Sequence, residues 1–375
     1  MRLRSCLLIA LAWAAACGSP ADISTEGLEA PVVYGIDHRT EVFAYPDAEM
    51  QRIARQSIVA LVRTSRIARE EDGTYSLFGF TLKEERGLCD DEPFGNQPIA
   101  ASCSGTLIDD DLVLTAGHCI DEFSTCESYN YVFDYYLNGA NTLETIQDED
   151  VYTCRRLFLD RDPGGGDQTP DFAVIQLDRP VEGARTPVSF RTDSSPAQFE
   201  AITMIGFGSG LPAKIDDGAS VADAREGRDD NFYVANLDAF GGHSGSATFD
   251  TDGLLAGILI GGRVPDYDTE PTEGCARANV FDDSEAGEIV HKIEPIITTL
   301  CQAGWENEAL CADVPPCEGP SCGGALPPPG GTGGAGVVPG ESSACSAARG
   351  AASSVSLFGA LFLFAAARRF RRSNA

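Results

Sequence analysis

Basic residues are scarce in this sequence. Its 375 residues include 27 Lys and Arg against 57 Asp and Glu, and seven of the basic residues lie in the two terminal segments considered below. The rest of the chain therefore carries 20 basic against 57 acidic residues, a net charge of −37. A body this acidic repels phosphate backbones, so we expect no nucleic-acid partner, and the charge mainly favours solubility.

Signatures of metal and cofactor sites are also missing. The sequence has no His and Cys pairs at zinc-finger spacing, no glycine-rich phosphate loop and no internal repeat, so we predict no metal site and no cofactor. By contrast, 43% of the residues are hydrophobic and 8% are aromatic. This composition is sufficient for a large soluble core and does not fit a disordered chain or a polytopic membrane protein.

The N-terminal residues predict export. Arg2 and Arg4 precede an apolar run at residues 7–11, and three alanines follow before Cys17. This order is typical of a signal peptide, which we assign to residues 1–16, with a linker or short pro-segment at residues 17–31. Cleavage after Ala16 suits an ordinary signal peptidase, whereas Cys17 at the new terminus also suits lipidation, and the sequence leaves both open.

The C-terminal residues predict a spacer and an attachment tail. Residues 311–340 are rich in Pro and Gly and hold almost no large apolar side chains, which is typical of a spacer, and we assign the Cys-, Pro- and Gly-rich spacer to residues 301–344. Within residues 345–375, an uncharged stretch at residues 350–367 precedes four arginines. With Cys345, this segment resembles a bacterial sorting tail of the MYXO-CTERM kind, which implies a cell-surface or outer-membrane location, or release after processing. A plain membrane anchor is the alternative.

Thirteen cysteines in an exported chain indicate disulfides rather than metal thiolates. Without Cys6, Cys17 and Cys345 ten remain, an even number that is consistent with full pairing. We expect four of them to link the base of the spacer: Cys301, Cys311, Cys317 and Cys322.

Between residues 32 and 300, short β-type runs alternate with Gly, Asp, Asn and Pro. The runs lie at residues 57–62, 74–80, 105–108, 112–116, 171–177, 201–207, 232–235, 246–249 and 254–260. Many short strands separated by turn residues predict an all-β barrel or sandwich fold. Two helices are also predicted, at residues 47–55 with Asp47 as the cap, and at residues 285–300 with an interruption at Pro295.

A histidine, an aspartate and a serine form a candidate catalytic set. His118 follows a buried strand pattern, Asp171 opens the apolar run at residues 171–177, and Ser244 lies between two glycines. Serine needs a base to remove its proton, and imidazole titrates near neutrality, so His118 is the candidate base. Asp171 would then orient the imidazole, and the backbone N–H groups of Gly242 and Ser244 would stabilise an oxyanion.

A competing interpretation concerns Asp171. Residues 160–171 carry acids at the first, third and twelfth positions, loosely like a calcium loop. Glycine at the fifth position and Asp at the twelfth weaken that pattern. Asp171 cannot both chelate calcium and orient His118, so we favour the catalytic role.

Four motifs together resemble the trypsin-like, chymotrypsin-fold serine endopeptidases. They are Cys103-Ser-Gly-Thr-Leu, Leu114-Thr-Ala-Gly-His-Cys119, Asp171-Phe-Ala-Val and Gly241-Gly-His-Ser244-Gly-Ser. The resemblance covers residues 32–300 and implies two antiparallel six-stranded β-barrels with a C-terminal helix and the triad in the cleft between the barrels. It also implies disulfides between Cys103 and Cys119 and between Cys126 and Cys154, a protein or peptide substrate, and a monomer.

Within that family the sequence is most similar to bacterial enzymes near the glutamyl endopeptidases. Residues 32–39 are similar to their mature N-termini and residues 236–242 to the segment before their nucleophile. The resemblance therefore implies a protease domain at residues 32–300, released by processing near Pro31.

The resemblance also implies a substrate-binding set. Asp238 lies six residues before Ser244, where trypsin-like members hold the carboxylate of the first specificity pocket, which favours Arg or Lys at P1. Leu259 stands where glutamyl specificity would require a histidine, so an acidic P1 residue is the alternative. The backbone from Leu259 through Gly261 and Gly262 is expected to pair with the substrate as an added strand.

One departure from the family pattern opens two rival functions. His243 stands where the family has Asp, or Asn in the bacterial branch, so an activating ion pair between that residue and a new N-terminus cannot be carried over. This motivates a surface binding protein on a protease scaffold that has lost its activity. A structural envelope protein is the third hypothesis, and it leaves His118, Asp171 and Ser244 without a role.

Overall fold

The computed structural model describes residues 31–120, 126–161, 170–226, 231–263 and 265–315. The strands before residue 120 are β1 (Pro31–Tyr34), β2 (Arg39–Glu41), β3 (Ile58–Arg63), β4 (Ile67–Arg69), β5 (Tyr75–Leu77), β6 (Ala101–Asp109) and β7 (Leu112–Thr115). Those up to residue 223 are β8 (Tyr129–Val132), β9 (Leu137–Gly139), β10 (Thr142–Leu143), β11 (Val151–Arg161), β12 (Phe172–Leu177), β13 (Ala201–Gly206) and β14 (Lys214–Asp223). The remainder are β15 (Phe232–Ala235), β16 (Ala239–Phe240), β17 (Ala247–Phe249), β18 (Leu255–Gly261), β19 (Tyr267–Thr269), β20 (Ala276–Ala278), β21 (Val280–Phe281) and β22 (Glu288–Lys292). The α-helices are α1 (Ala48–Gln56), α2 (Leu82–Arg86), α3 (Ile293–Gln302) and α4 (Glu308–Cys311).

The first half of the chain closes into a six-stranded antiparallel barrel. Its strands follow the order β11-β12-β7-β6-β3-β8, and β8 also pairs with β11. Five consecutive residues of β3 are buried, as are all four of β7. A barrel of about this size is filled by its own side chains, so it supplies a rigid support rather than a channel.

The second half forms another six-stranded antiparallel barrel. Its strands follow the order β13-β17-β18-β22-β15-β14, and pairing of β13 with β14 closes the ring. Strand β2, from the N-terminal part, adds to the outer edge of β14. The prediction of an all-β fold with two six-stranded barrels is confirmed, and α3 is the expected C-terminal helix.

One predicted helix is correct and the other is wrong in its first half. Helix α1 begins after Asp47, whose side chain accepts hydrogen bonds from the amides of Glu49 and Met50 as an N-cap should. Residues 285–300 do not form one helix, because residues 288–292 form β22 between β15 and β18. Helix α3 follows directly, and Pro295 lies in its first turn, where proline removes no helical hydrogen bond.

Four disulfides lie in the described residues. Cys103 pairs with Cys119 and Cys126 with Cys154, as the family resemblance implied. Cys301 pairs with Cys311 beside α4, while Cys317 and Cys322 lie outside the described residues. Cys89 pairs with Cys275 across 186 positions, a link that the sequence analysis did not predict.

The predicted signal peptide, most of the spacer and the whole tail lie outside the described residues. Among the helices that are described, none combines the length and the apolar character needed to cross a membrane.

Candidate active site

Ser244 is the second residue of the later of two tight turns that share His243. In the first, the amide of His243 donates to the carbonyl of Phe240 (2.9 Å); in the second, the amide of Ser246 donates to the carbonyl of His243 (2.7 Å). Gly242 and Gly245 occupy the third position of these turns with φ of 101° and 83°, where a type II turn requires glycine or a similarly permissive residue. Residues 240–246 therefore form two consecutive turns that present the hydroxyl of Ser244.

Gly245 is also a point of close approach between the barrels. A side chain at this position would overlap the carbonyl of Ser104 on β6 and the hydroxyl of Thr115 on β7. Ser104 reinforces the contact, because its hydroxyl donates to the carbonyl of Gly242 (2.8 Å) and accepts from the amide of Phe207 (3.0 Å). The first barrel thus holds the turn of the second barrel in position.

His118 and Asp171 come from the first barrel and meet Ser244 at the interface. His118 follows β7 and lies in a short helical turn, and Asp171 precedes β12, which pairs with β7. The Nε2 atom of His118 is 2.8 Å from the hydroxyl of Ser244, and its Nδ1 atom is 2.8 Å from Oδ2 of Asp171. The backbone amide of His118 donates to Oδ1 of the same carboxylate (3.0 Å). Asp171 therefore contacts His118 at both the ring and the backbone, and the three predicted residues lie together.

The amides of Gly242 and Ser244 are available to a ligand. Within the part of the chain that the structure describes, neither donates a hydrogen bond. The amide of Ser209 donates to the carbonyl of Gly241 (2.6 Å) and so fixes the plane of the 241–242 peptide. Because N–H and C=O point in opposite directions across a planar trans peptide, this contact turns the Gly242 N–H away from Ser209.

Ser209 helps to orient the Gly242 amide, a role that was not predicted from the sequence. It has φ of 55°, an uncommon conformation for a residue other than glycine, and its hydroxyl is 2.8 Å from that of Tyr267. The Gly208-Ser209-Gly210 run was the available signal, since glycines on both sides of a serine indicate a tight turn.

A cleft of about 500 Å³ opens beside the triad. Its lining includes His118, Ser244 and Gly242, and it mixes three arginines with two acids: Arg63, Arg66, Arg86, Glu85 and Asp266. Such a polar cleft suits an extended peptide backbone with side chains of either charge.

Asp238 does not occupy the position that its spacing from Ser244 suggested. It is only 1% exposed, and it does not line this cleft. Its Oδ1 accepts from the amide of Tyr34 and its Oδ2 from the amide of His38, both at 2.7 Å. The expected role at the base of the specificity pocket is therefore corrected: both oxygens hold the N-terminal segment against the second barrel.

A second buried carboxylate, that of Asp216, holds the backbone of Asp238. Asp216 on β14 accepts from the amide of Asp238 (2.8 Å) and from that of Gly218 (3.3 Å). Burial raises the pKa of both carboxyls, and the proximity of Asp238 raises that of Asp216 further. Both carboxyl groups accept hydrogen bonds from backbone amides, which is the chemistry of a structural junction.

The predicted substrate edge lies on β18 and the residue after it. Leu259 is fully buried in the apolar interior of the second barrel, and its backbone is engaged there: its amide donates to the carbonyl of Ser246 (2.9 Å) and its carbonyl accepts from the amide of Gly245 (2.7 Å). The expected pairing of the Leu259 backbone with a substrate is therefore corrected. Gly261 ends the strand, and Gly262 follows it. The carboxylate of Glu288 packs against Gly262 so closely that a side chain there would overlap it. Glu288 was not predicted as a site residue, because the sequence pattern placed it in the helix at residues 285–300.

Glu288 is fully buried and only partly satisfied. Its Oε1 accepts from the hydroxyl of Tyr34 (3.2 Å) and the amide of Arg263 (3.3 Å), while its Oε2 has no hydrogen-bond partner among the described residues. Burial raises the pKa of this carboxyl well above its usual range. Glu288, like Asp238, does not line the cleft beside Ser244, and its Oε2 is an unsatisfied buried acceptor next to Gly262.

The alternative calcium loop is only partly described, because residues 162–169 lie outside the described ranges. Both carboxylate oxygens of Asp171 are occupied by His118. This arrangement fits the orienting role better than metal coordination.

Two comparisons with known proteins found a similarity. A family model described as the Trypsin-like peptidase domain matches residues 103–258, which is less than half of the chain but includes His118, Asp171 and Ser244. No curated protein matches the chain. A solved structure titled "Structure of Glu endopeptidase in complex with MPD" is similar, with 18% sequence identity and a TM-score of 0.41 over 70% of this chain and 94% of that chain.

Proposed function

We propose that this chain, whose domain match supports a trypsin-like serine protease, is an exported, surface-associated endopeptidase that works through Ser244, His118 and Asp171. The observation that carries the proposal is the position of the His118 ring, 2.8 Å from the hydroxyl of Ser244 on one side and 2.8 Å from the carboxylate of Asp171 on the other. This is the geometry that a nucleophile, a general base and an orienting acid require.

In the proposed reaction, the Ser244 oxygen attacks the carbonyl carbon of the scissile peptide while His118 takes the hydroxyl proton. The amides of Gly242 and Ser244 stabilise the negative charge on the former carbonyl oxygen. Collapse of this intermediate breaks the C–N bond, and His118 gives its proton to the leaving amine. Water then attacks the acyl-enzyme with His118 again as the base, which releases the acid product and restores Ser244.

The rival function is a binding protein on a lapsed protease scaffold. It predicts a serine of ordinary reactivity, because no selection would maintain an activated hydroxyl. The two unengaged amides beside Ser244 favour the enzyme, since an oxyanion site has no purpose in a binding surface.

A fluorophosphonate probe distinguishes these functions. The full-length protein should be labelled within minutes, and peptide mass mapping should locate the adduct on Ser244. Heat-denatured protein serves as the control and should not react, because the triad exists only in the fold. Native protein that stays unlabelled both with the Pro31–Val32 bond intact and after cleavage of that bond, or label on another serine, would contradict the proposal.

We further propose that the P1 residue is Arg or Lys and that Glu288, rather than Asp238, selects it. Oε2 of Glu288 is unpaired beside Gly262, whereas both oxygens of Asp238 are engaged by backbone amides. A guanidinium or ammonium group reaching Glu288 would favour its ionised form and supply the missing partner. An acidic P1 residue, the alternative, would meet a carboxyl group there.

Glu288→Gln should lower the ratio of kcat/KM for Arg over Leu at P1 by about 100-fold, because the buried charge partner is lost. Asp238→Asn is the matched control: it should leave that ratio within about threefold. Cleavage-site profiling on a peptide library gives both values. If Asp238→Asn moved the ratio and Glu288→Gln did not, the original pocket assignment would be restored.

The proposed organisation of the precursor follows the sequence. A signal peptide at residues 1–16, a protease domain at residues 32–300, a spacer at residues 301–344 and a sorting tail at residues 345–375 would deliver the enzyme to the cell surface. The mass of the mature N-terminal peptide separates plain cleavage after Ala16 from lipidation of Cys17.

A further inference from the structure

His243 grips Phe240 at two points. Its backbone amide donates to the carbonyl of Phe240 (2.9 Å), and its ring atom Nδ1 accepts from the amide of Phe240 (3.0 Å). The residue thus closes the turn before Ser244 with both its main chain and its side chain. An acceptor on this side chain is required, since the Phe240 amide would otherwise be buried without a partner.

The surroundings of His243 keep the imidazole neutral. The residue is 1% exposed, and its ring packs so closely on Gly208 that any side chain there would overlap it. Burial, and then the nearby charges of Arg39 and Lys214, lower the pKa of His243 to about 3, while Asp37 opposes them. A neutral ring with Nδ1 as the acceptor carries its proton on Nε2.

The residues that surround Phe240 belong to the body of the protease domain. The guanidinium of Arg39 stacks on the Phe240 ring at 3.9 Å and pairs with Asp37 (2.7 Å). Strand β1 pairs with β16 through Pro31 and Phe240, and through Val32 and Ala239. The ring acceptor of His243 is engaged by the Phe240 amide, so within the described residues this turn is closed without a contact from an amino group at Val32.

We infer that His243 is a positioning residue that holds the oxyanion-binding turn in its active form, so that this turn assembles without an activating cleavage. The inference rests on the proposed function. The contact at Phe240 fixes one end of the turn, and the contact from Ser209 to Gly241 fixes the next peptide. Between them they determine where the Gly242 N–H points, and this is the group that acts on the transition state.

Two variants of similar shape test the role of the ring acceptor. In His243→Asn, the side-chain oxygen can replace Nδ1 as the acceptor for the Phe240 amide; in His243→Leu, nothing can. We expect His243→Leu to lower kcat by about 100-fold with KM within about threefold, because an oxyanion donor contributes mainly in the transition state. His243→Asn should retain kcat within about fivefold of the wild type.

Active-site titration separates positioning from loss of folding. If His243→Leu only reduced the folded fraction, the titrated sites would fall while kcat per titrated site stayed at the wild-type value, and the inference would be overturned. Equal impairment of the Asn and Leu variants would overturn it as well. Should His243→Leu fail to fold, the wild type provides the test. Wild-type protein whose Pro31–Val32 bond is shown by mass spectrometry to be intact should give one titrated active site per molecule.

Titration only after cleavage at that bond would contradict the inference. A wild type that is inactive and unlabelled in both forms would instead contradict the proposed function. The two failures are therefore distinguishable.

Discussion

Ser244→Ala is expected to lower kcat/KM by about 10⁶-fold, and His118→Ala by a similar factor. The two side chains act as one unit because the hydroxyl of Ser244 is nucleophilic only while Nε2 of His118, 2.8 Å away, can take its proton. The double variant should therefore be no slower than either single variant by more than about tenfold. Activity that remains would come from the amides of Gly242 and Ser244 and from substrate binding.

Ser246→Ala is the matched control for this experiment. Ser246 lies two residues further along the same turn, and its buried hydroxyl has no hydrogen-bond partner among the described residues. Removing that hydroxyl leaves its backbone contact to His243 in place, so kcat/KM should stay within about threefold of the wild type. Kinetics on a fluorogenic peptide give kcat/KM for the four variants and for the wild type. Independent, multiplying effects at Ser244 and His118 would show that the pair does not act as nucleophile and base.

The sequence could predict the triad because each member has a local signature. His118 follows a fully buried strand, Asp171 precedes a largely buried strand, and Ser244 lies close to Gly242 and Gly245, which the turns require. Such signatures depend on residues within a few positions, so a single chain reveals them. The all-β class could likewise be predicted, since most of the short β-type runs are strands, whereas the arrangement as two six-stranded barrels was implied by the family resemblance.

The spacing between Asp238 and Ser244 was not sufficient to predict the role of the Asp238 side chain. The direction of its side chain depends on amides some 200 positions away, at Tyr34 and His38. The same limit applies to the disulfide from Cys89 to Cys275. Contacts of this kind are set by tertiary packing and leave no local pattern.

Strand β14 was missed for a related reason. Its residues include Lys214 and Asp216, which suggest a surface loop, yet both are 2% exposed. Lys214 donates to Gln97 and to the carbonyl of Pro212, and β2 covers the outer edge of the strand. Buried polar residues that are satisfied by distant partners look hydrophilic in sequence and behave as core.

Asp171→Asn is expected to lower kcat by about 10⁴-fold with little loss of stability. The backbone amide of His118 is a fixed donor to one carboxylate oxygen, so the Asn carbonyl oxygen should turn toward it. The Asn NH₂ group would then face Nδ1 of His118 and force that atom to become an acceptor. The proton would move to Nε2, which could no longer accept the proton of Ser244.

The matched control is Asp178→Asn, just beyond the other end of β12. Asp178 also accepts from a backbone amide, that of Thr153 at 2.8 Å, but it lies away from the triad. Its replacement should change kcat by less than about twofold, with a comparable effect on the free energy of unfolding. Fluorophosphonate labelling rates provide a second measurement, because they report the reactivity of Ser244 directly and should fall with kcat. If Asp171→Asn kept kcat and the labelling rate within about tenfold of the wild type, the carboxylate would not set the tautomer of His118, and the proposed role of Asp171 would be wrong.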